Sequence, residues 1–242
     1  SHWLPCDSAI AVQTESTSAA LPYTRSIAHH AGWRWQIPLQ HRVGNGLVFS
    51  SQHMSQDEAT NMLLSNVDGK VLTEPKPIKF RTGKRKKSWN KNCIAIGLSS
   101  GFLEPLESTS LHLIQTGIIR LIKMFPGDAI NPAEVDEYNR QSRFEYERIR
   151  DFIILHYKLT QRTDTEFWRY CQAMDIPESL QHKIELFKSC GHILQHEPEA
   201  FEKSSWLSIY HGFGVTPQRT DNRIDHIKDA DIKIQLEKIK QS

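Results

Sequence analysis

The segment GWRWQIP, residues 32–38, constrains the fold more than any other stretch of this chain. It holds Trp33 and Trp35, two of the six tryptophans. In an extended strand, side chains two residues apart lie on the same face. The segment therefore predicts a strand with a flat wall of two indoles on one face. Such a wall suits a core, a ligand platform or a barrier between two compartments, and local chemistry does not choose among them.

Residues 1–104 have the short apolar segments and turn residues of a β-rich region. Residues 9–14 are predicted as a strand, and a helix is predicted to begin near Asp57. The Gly44-Asn45-Gly46 sequence predicts the turn of a hairpin. A second hairpin is predicted over residues 78–98, with GKRKK at its tip.

Residues 105–242 have helical spacing of apolar side chains. One helix is predicted over 108–125. Another is predicted over 131–157, because Asn131 is a good N-cap and Pro132 suits the first turn. Further helices are predicted over 163–174, 177–190 and 229–240. The fold class is therefore α+β, a β-rich part followed by a mainly helical part.

Composition excludes several classes of function. The 242 residues carry 30 basic and 28 acidic side chains, so the charge balance of +2 gives no reason to expect a nucleic-acid partner. No apolar run approaches the ~20 residues that span a bilayer, and no secretory signal is expected at the start. The four scattered cysteines form no zinc pattern, so we expect reduced thiols, no metal and a cytoplasmic location.

The stretch NCIAIGLSSGFLEPLESTSLHLI, residues 92–114, carries the most chemistry. The first amides of a helix lack intrahelical acceptors and lie at the positive end of its dipole, so those of Thr109 and Ser110 are candidate anion donors. Simple capping by Ser108 or Thr109 is the alternative. Glu104 and Glu107 are a candidate acid/base pair, or else solvated acids at a helix start.

Three segments together resemble the flavin-dependent tryptophan halogenases. The WxWxIP signature matches Trp33, Trp35, Ile37 and Pro38, and FxEPLEST matches Phe102 and Glu104 through Thr109. The RDFIxxHY…RTDTxFW stretch matches from Arg150 to Trp168. The segments occur in the family's order, and the resemblance extends from about Trp3 to about Pro217. It implies a flavin monooxygenase-like, FAD-binding fold in residues 1–104 and a helical part covering the substrate site in residues 105–242.

The resemblance also implies an activity. Family members use reduced FAD (FADH2), oxygen and a chloride or bromide ion to form hypohalous acid, which passes through a tunnel to an aromatic substrate. A separate flavin reductase supplies the reduced FAD. Trp33, Trp35, Ile37 and Pro38 would form the barrier between flavin and substrate. A homodimer is a further expectation from the resemblance.

Site residues follow from the same resemblance. The amides of Thr109 and Ser110 would bind the halide, although the family usually has glycine at the second position. The backbone at Leu98 and Leu111 would lie against the flavin ring. Glu107 matches the carboxylate that works beside the catalytic lysine.

Two family features have no counterpart in this sequence. The GxGxxG loop is absent, because GFGVTP at 212–217 ends in proline and follows no clear strand. The catalytic lysine belongs to a part of the family upstream of these motifs, and Lys84, Lys86 and Lys87 are not candidates for it. We therefore expect this chain to correspond to the C-terminal half of a halogenase, with the N-terminal half as its partner.

The substrate end departs from the tryptophan-selective members, because residues 186–214 contain no Tyr-Tyr pair. Phe201 or Trp206 could stack on an indole, or both could be core aromatics. Free indole or another electron-rich aromatic is therefore the expected small-molecule substrate.

Two other functions remain open. GKRKK beside Trp89 could bind nucleic acid, since basic and aromatic side chains together suit phosphates and bases. A hydroxylating flavin monooxygenase is the closer rival, and the product mass distinguishes it from a halogenase.

Overall fold

The computed structural model describes residues 2–195, 199–219 and 227–241. The chain divides into two compact units, Ser1–Asp175 and Ile176–Ser242. The first contains all the strands of the described residues and four helices; the second contains three helices. The α+β class predicted from the sequence is confirmed, with a mainly helical C-terminal part.

A five-stranded antiparallel sheet organises the first unit. Its strands are β1 (Ser8–Thr14), β2 (Arg25–His29), β3 (Gly32–Pro38), β4 (Val43–Phe49) and β5 (Lys76–Lys79). They lie in the order β2-β3-β4-β1-β5, which puts the GWRWQIP strand beside the centre of the sheet.

Two short ribbons and four helices complete this unit. The ribbons pair β6 (Gly83–Lys84) with β9 (Gly101–Phe102), and β7 (Trp89–Asn90) with β8 (Cys93–Ile94). The helices are α1 (Gln56–Leu64), α2 (Ser110–Lys123), α3 (Pro132–Lys158) and α4 (Glu166–Ala173).

Helix starts follow the sequence closely. The Ser55 hydroxyl and the Glu58 carboxylate form a reciprocal capping box at α1, and Asn131 accepts the amide of Ala133 at the start of α3. Helix α3 then buries Ile149, Phe152 and Ile153, so its second half belongs to the core of this unit.

The predicted Gly44-Asn45-Gly46 turn is wrong. These residues lie inside β4, hydrogen-bonded to both β1 and β3, and the chain reverses instead between Leu39 and Arg42. Asn45 is buried because its amide group bonds the side chains of Arg34 and Thr14. Partners from neighbouring strands thus turn a typical turn sequence into a strand.

The predicted second hairpin is also wrong. GKRKK is not its tip, since Gly83 and Lys84 pair with residues 101–102 and a separate tight hairpin forms around Lys91. Residues 78–79 join the main sheet instead, through β5. The basic segment runs along the edge of a ribbon.

The second unit contains α5 (Glu178–Cys190), α6 (Lys203–Gly212) and α7 (Asp229–Gln241). Its core holds a buried ion pair between Lys183 and Glu199, 2.7 Å apart, and Phe187 stacked on Tyr210 with centroids 4.0 Å apart. Among the residues described, no helix has the length and apolarity needed to cross a membrane.

Candidate active site

Trp33 and Trp35 lie on the same face of β3, as their spacing predicts. Their ring centroids are 6.2 Å apart and tilted by 58°. Both line a cavity of about 510 Å³, together with Ile37 from the same strand. Further lining residues come from β2, from the residue before it and from the segment after Leu103: Ser26, Thr24, Pro105, Glu107 and Ser108. The wall of two indoles is therefore one side of a cavity.

Gly46 determines where the second indole can lie. It pairs with Trp35 across the sheet, and a Cβ atom on Gly46 would come within 1.9 Å of the Trp35 ring. The indole thus rests directly on the backbone of β4, an arrangement that a glycine in a strand interior permits.

The turn opposite the wall has unusual backbone geometry. Glu107 and Ser108 have φ values of 67° and 53°, in the left-handed region that non-glycine residues rarely adopt. Each such residue costs on the order of 1–3 kcal/mol and persists only when the surrounding structure enforces it. The turn spans Leu106–Ser108 and leads through Thr109 into α2.

The first turn of α2 has no side-chain cap in the described structure. Its N-cap residue, Thr109, has helical dihedral angles, and its side chain forms no capping hydrogen bond. Within the described structure no side-chain hydrogen bond caps this helix start, and the Ser108 amide donates to the carbonyl of Pro105. Among the described residues, no side chain therefore accepts from the first amides of this helix.

Glu107 has a histidine partner within this chain. Its Oε1 lies 3.1 Å from Nε2 of His156 on α3. Nδ1 of the same ring lies 2.8 Å from the carbonyl oxygen of Phe152, so it must donate there. The His156 ring therefore connects the Glu107 carboxyl to the backbone of α3.

Glu104 lies buried beneath the same segment. It is 1% exposed, and its Oε1 accepts a 2.7 Å hydrogen bond from the hydroxyl of Tyr157, which in turn lies 3.5 Å from the Cys6 thiol. His156 and Tyr157 are adjacent on α3. His156 thus contacts Glu107, and Tyr157 donates to Glu104.

Burial raises the pKa of Glu104 to about 7, although the Tyr157 hydroxyl and the Trp33 indole both favour its charged form. Burial also raises the pKa values of the nearby thiols, that of Cys171 to about 12 and that of Cys6 well above its usual range. Glu104 is therefore the member of this group that titrates near neutral pH.

The third motif fixes the start of the tryptophan strand. The Thr165 hydroxyl donates to the carbonyl of His30 at 2.8 Å, and the Trp168 indole donates to that of His29 at 2.7 Å. These bonds tie the β2–β3 turn to the start of α4. The three motifs of the sequence thus meet around one site.

Comparison with known proteins identifies the family. The family model described as tryptophan halogenase matches residues 1–229 of the chain. This chain belongs to the tryptophan halogenase family. It is 40% identical to tryptophan 7-halogenase KtzQ of Kutzneria sp. (strain 744) over 81% of its own length and 40% of that protein.

Solved structures agree. BrvH, a flavin-dependent halogenase from Brevundimonas sp. BAL3, is 52% identical to this chain, with a TM-score of 0.93. A flavin-dependent halogenase from Xanthomonas campestris is 49% identical, with a TM-score of 0.96. The two matches cover 98% and 99% of this chain, and 48% of each of the two structures. It therefore spans about half the length of the relatives it matches.

The two residues that the family resemblance places against the flavin ring are strongly exposed in this tryptophan halogenase chain. Leu98 is 70% exposed and Leu111 is 77% exposed. They lie on adjoining elements, since a Cβ on Gly97 would come within 2.8 Å of the Ile114 side chain on α2. The two leucines thus form an exposed apolar surface, and no phosphate-binding GxGxxG loop occurs in the sequence.

Some candidate residues lie away from the cavity. Pro38 ends β3, where it pairs with Val43. Trp206 is 1% exposed, with the Lys183 ammonium 4.1 Å from its ring centroid, which favours the core alternative over substrate stacking. Phe201 is half-buried in the same unit. Trp89 is buried too, so the basic GKRKK segment lacks the exposed aromatic that nucleic-acid binding would use.

Sequence reasoning missed the roles of His156 and Tyr157. Both belong to the matched RDFIILHY stretch, so the signal was present. Which ring nitrogen or hydroxyl reaches which glutamate depends on how α3 packs against the EPLES turn, and no local pattern encodes that packing.

Proposed function

We propose that this chain carries the halide-binding and substrate-facing part of a flavin-dependent halogenase acting on an indole-type or other electron-rich aromatic. The observation that carries the proposal is the shared cavity. It brings the Trp33–Trp35 wall together with Glu107, whose turn leads directly into the uncapped start of α2.

In this proposal the amides of Thr109 and Ser110 hold chloride or bromide. The positive end of the α2 dipole favours an anion there, and serine keeps the amide donor that glycine would supply. Glu107 lies two residues before Thr109 in the chain, and its Oε1 lies 3.1 Å from Nε2 of His156.

Glu107 is the proposed base. When a ring carbon gains a halogen, its proton must leave for aromaticity to return, and a carboxylate within the cavity can accept it. His156 orients this carboxylate through their 3.1 Å contact. The indole wall excludes water and keeps the aromatic substrate apart from the oxidising cofactor, as Trp33, Trp35 and Ile37 cover that side.

Reduced FAD would activate oxygen so that the halide can be oxidised. This chain would contribute the surface at Leu98 and Leu111 to FAD binding. We further propose a flavin reductase as electron source, a homodimer as the assembly, and the catalytic lysine and phosphate loop in the N-terminal half of the family's chain. A cytoplasmic location would suit the free cysteines.

A chimera tests this function. The chain is fused to the N-terminal half of BrvH and incubated with reduced FAD, oxygen, bromide and indole. Mass spectrometry then identifies the products. We expect bromoindole. Glu107→Gln should lower the rate by roughly 10²-fold, the scale of a positioned acid/base group.

The matched control is Glu137→Gln, which changes an exposed glutamate of α3 that pairs with Arg140. Its rate should equal that of the parent chimera. Hydroxyindole as the product would favour the monooxygenase alternative, and an unchanged rate in Glu107→Gln would remove Glu107 from the chemistry.

A further inference from the structure

The chemistry proposed above does not use Glu104, although its carboxyl is the buried acid closest in sequence to the cavity. It precedes Pro105, which lines the cavity, and it is 1% exposed. A buried carboxyl is retained at a cost unless its oxygens have partners. The hydrogen-bond partners of its two oxygens therefore indicate the role of Glu104.

The two oxygens of Glu104 differ. Oε1 accepts from Tyr157, while Oε2 is buried without a hydrogen-bond partner in the described structure. The indole nitrogen of Trp33 is in the same situation, buried and unbonded. Trp33 nevertheless stabilises the charge of Glu104, so the unpaired donor and the unpaired acceptor are neighbours.

We propose that Glu104 is a positioning residue whose Oε2 accepts the indole N–H of Trp33 and so sets the angle of the first ring of the cavity wall. Tyr157 holds the other oxygen and connects the carboxyl to α3 and Cys6. The purpose of this wall rests on the proposed function, but the hydrogen bond does not.

The bond depends on the protonation state of Glu104. As a carboxylate, Oε2 accepts the indole N–H; as a neutral acid with its proton on Oε2, it presents a second donor to the ring. The titratable groups around it are Cys6, Tyr157 of α3 and Cys171 of α4, and burial keeps all three neutral at ordinary pH. The orientation of Trp33 should therefore change as Glu104 titrates.

Indole N–H resonances of the ¹⁵N-labelled chain test this directly. The Trp33 signal is assigned by its loss in Trp33→Phe and followed over about pH 6 to 8. We expect its proton to move downfield as pH rises. In Glu104→Leu this pH-dependent shift should disappear, and the indole proton should exchange about tenfold faster, the ratio for one lost hydrogen bond.

Two further variants separate positioning from general damage. Tyr157→Phe removes the hydroxyl from Oε1 and should keep the pH-dependent Trp33 signal. Glu104→Gln keeps an oxygen that can accept the indole N–H, so it should restore slow exchange without pH dependence. A Trp33 signal that ignores pH in the parent, or that behaves in Glu104→Leu as in the parent, would overturn the proposal.

The BrvH chimera separates this inference from the proposed function. If the wall matters, Glu104→Leu should halogenate less indole per reduced FAD consumed, with more hydrogen peroxide released. Loss of the Trp33 hydrogen bond with unchanged coupling would show that the angle of this ring does not affect the reaction. A parent chimera without halogenation would contradict the proposed function and leave the resonance result standing.

Discussion

At the scale of single residues, Glu104 makes stability depend on pH in a direction opposite to that of most acids. Its pKa is raised from 4.5 to about 7 in the folded chain, so the folded state holds a proton that the unfolded state has released. The free energy of unfolding should therefore fall as pH rises from about 4.5 to about 7, by up to about 3 kcal/mol from this residue alone.

Urea unfolding at about pH 5 and about pH 7.5 measures this contribution. Glu104→Gln cannot titrate, so its loss of stability between the two conditions should be smaller than that of the parent by about 2 kcal/mol. Glu107→Gln is the control, since it changes the other, partly exposed glutamate of the segment. An equal loss in the parent and Glu104→Gln would show that Glu104 is ionised throughout.

At the scale of secondary-structure elements, the strand GWRWQIP and helix α3 could be predicted from the sequence because their signals are local. Alternation put both indoles on one face, and Asn131 with Pro132 marked the start of the helix. The Gly44-Asn45-Gly46 segment could not, because its strand is stabilised by Arg34, Thr14 and Trp35, which lie on other strands.

The apolar stripe of α2 shows the same limit. Helical spacing predicted α2 correctly, yet Leu111, Ile118 and Ile122 are exposed in this chain, whereas Leu113 and Gly117 are buried. The same limit applies within the site. The motifs predicted Glu107 and the amides of Thr109 and Ser110 as site groups. They did not predict the contacts of His156 and Tyr157, because these contacts depend on how α3 packs.

Gly46→Ala should disturb the wall through one strand contact. The added methyl would collide with the Trp35 ring, so we expect a loss of about 1–3 kcal/mol in unfolding free energy, the usual cost of overpacking. Gly44→Ala is the matched control on the same strand, because its Cβ would meet nothing closer than 3.8 Å. Urea unfolding measures both, and the Gly46→Ala cost should shrink when Trp35 is also replaced by leucine. Equal effects at Gly44 and Gly46 would mean that the ring does not lie on Gly46.

At the scale of the whole molecule, the 242 residues lack groups that the proposed function needs. The cavity lining includes no lysine among the residues that the structure describes, and the sequence has no phosphate-binding glycine loop. In the proposed function, the exposed side chains of Leu98 and Leu111 would cover only one side of the flavin ring. Binding one side of a cofactor buries too little surface to offset the entropy of association.

We therefore expect the chain by itself to bind FAD weakly and to form no halogenated product. FAD binding is measured by equilibrium dialysis, and halogenation by mass spectrometry of indole incubated with reduced FAD, oxygen and bromide. Full-length BrvH, assayed in parallel, controls for the reagents, and the BrvH chimera controls for the integrity of the chain. Turnover of indole by the chain alone would mean that a lysine or cofactor site within residues 1–242 does the work assigned here to the other half of the family's fold.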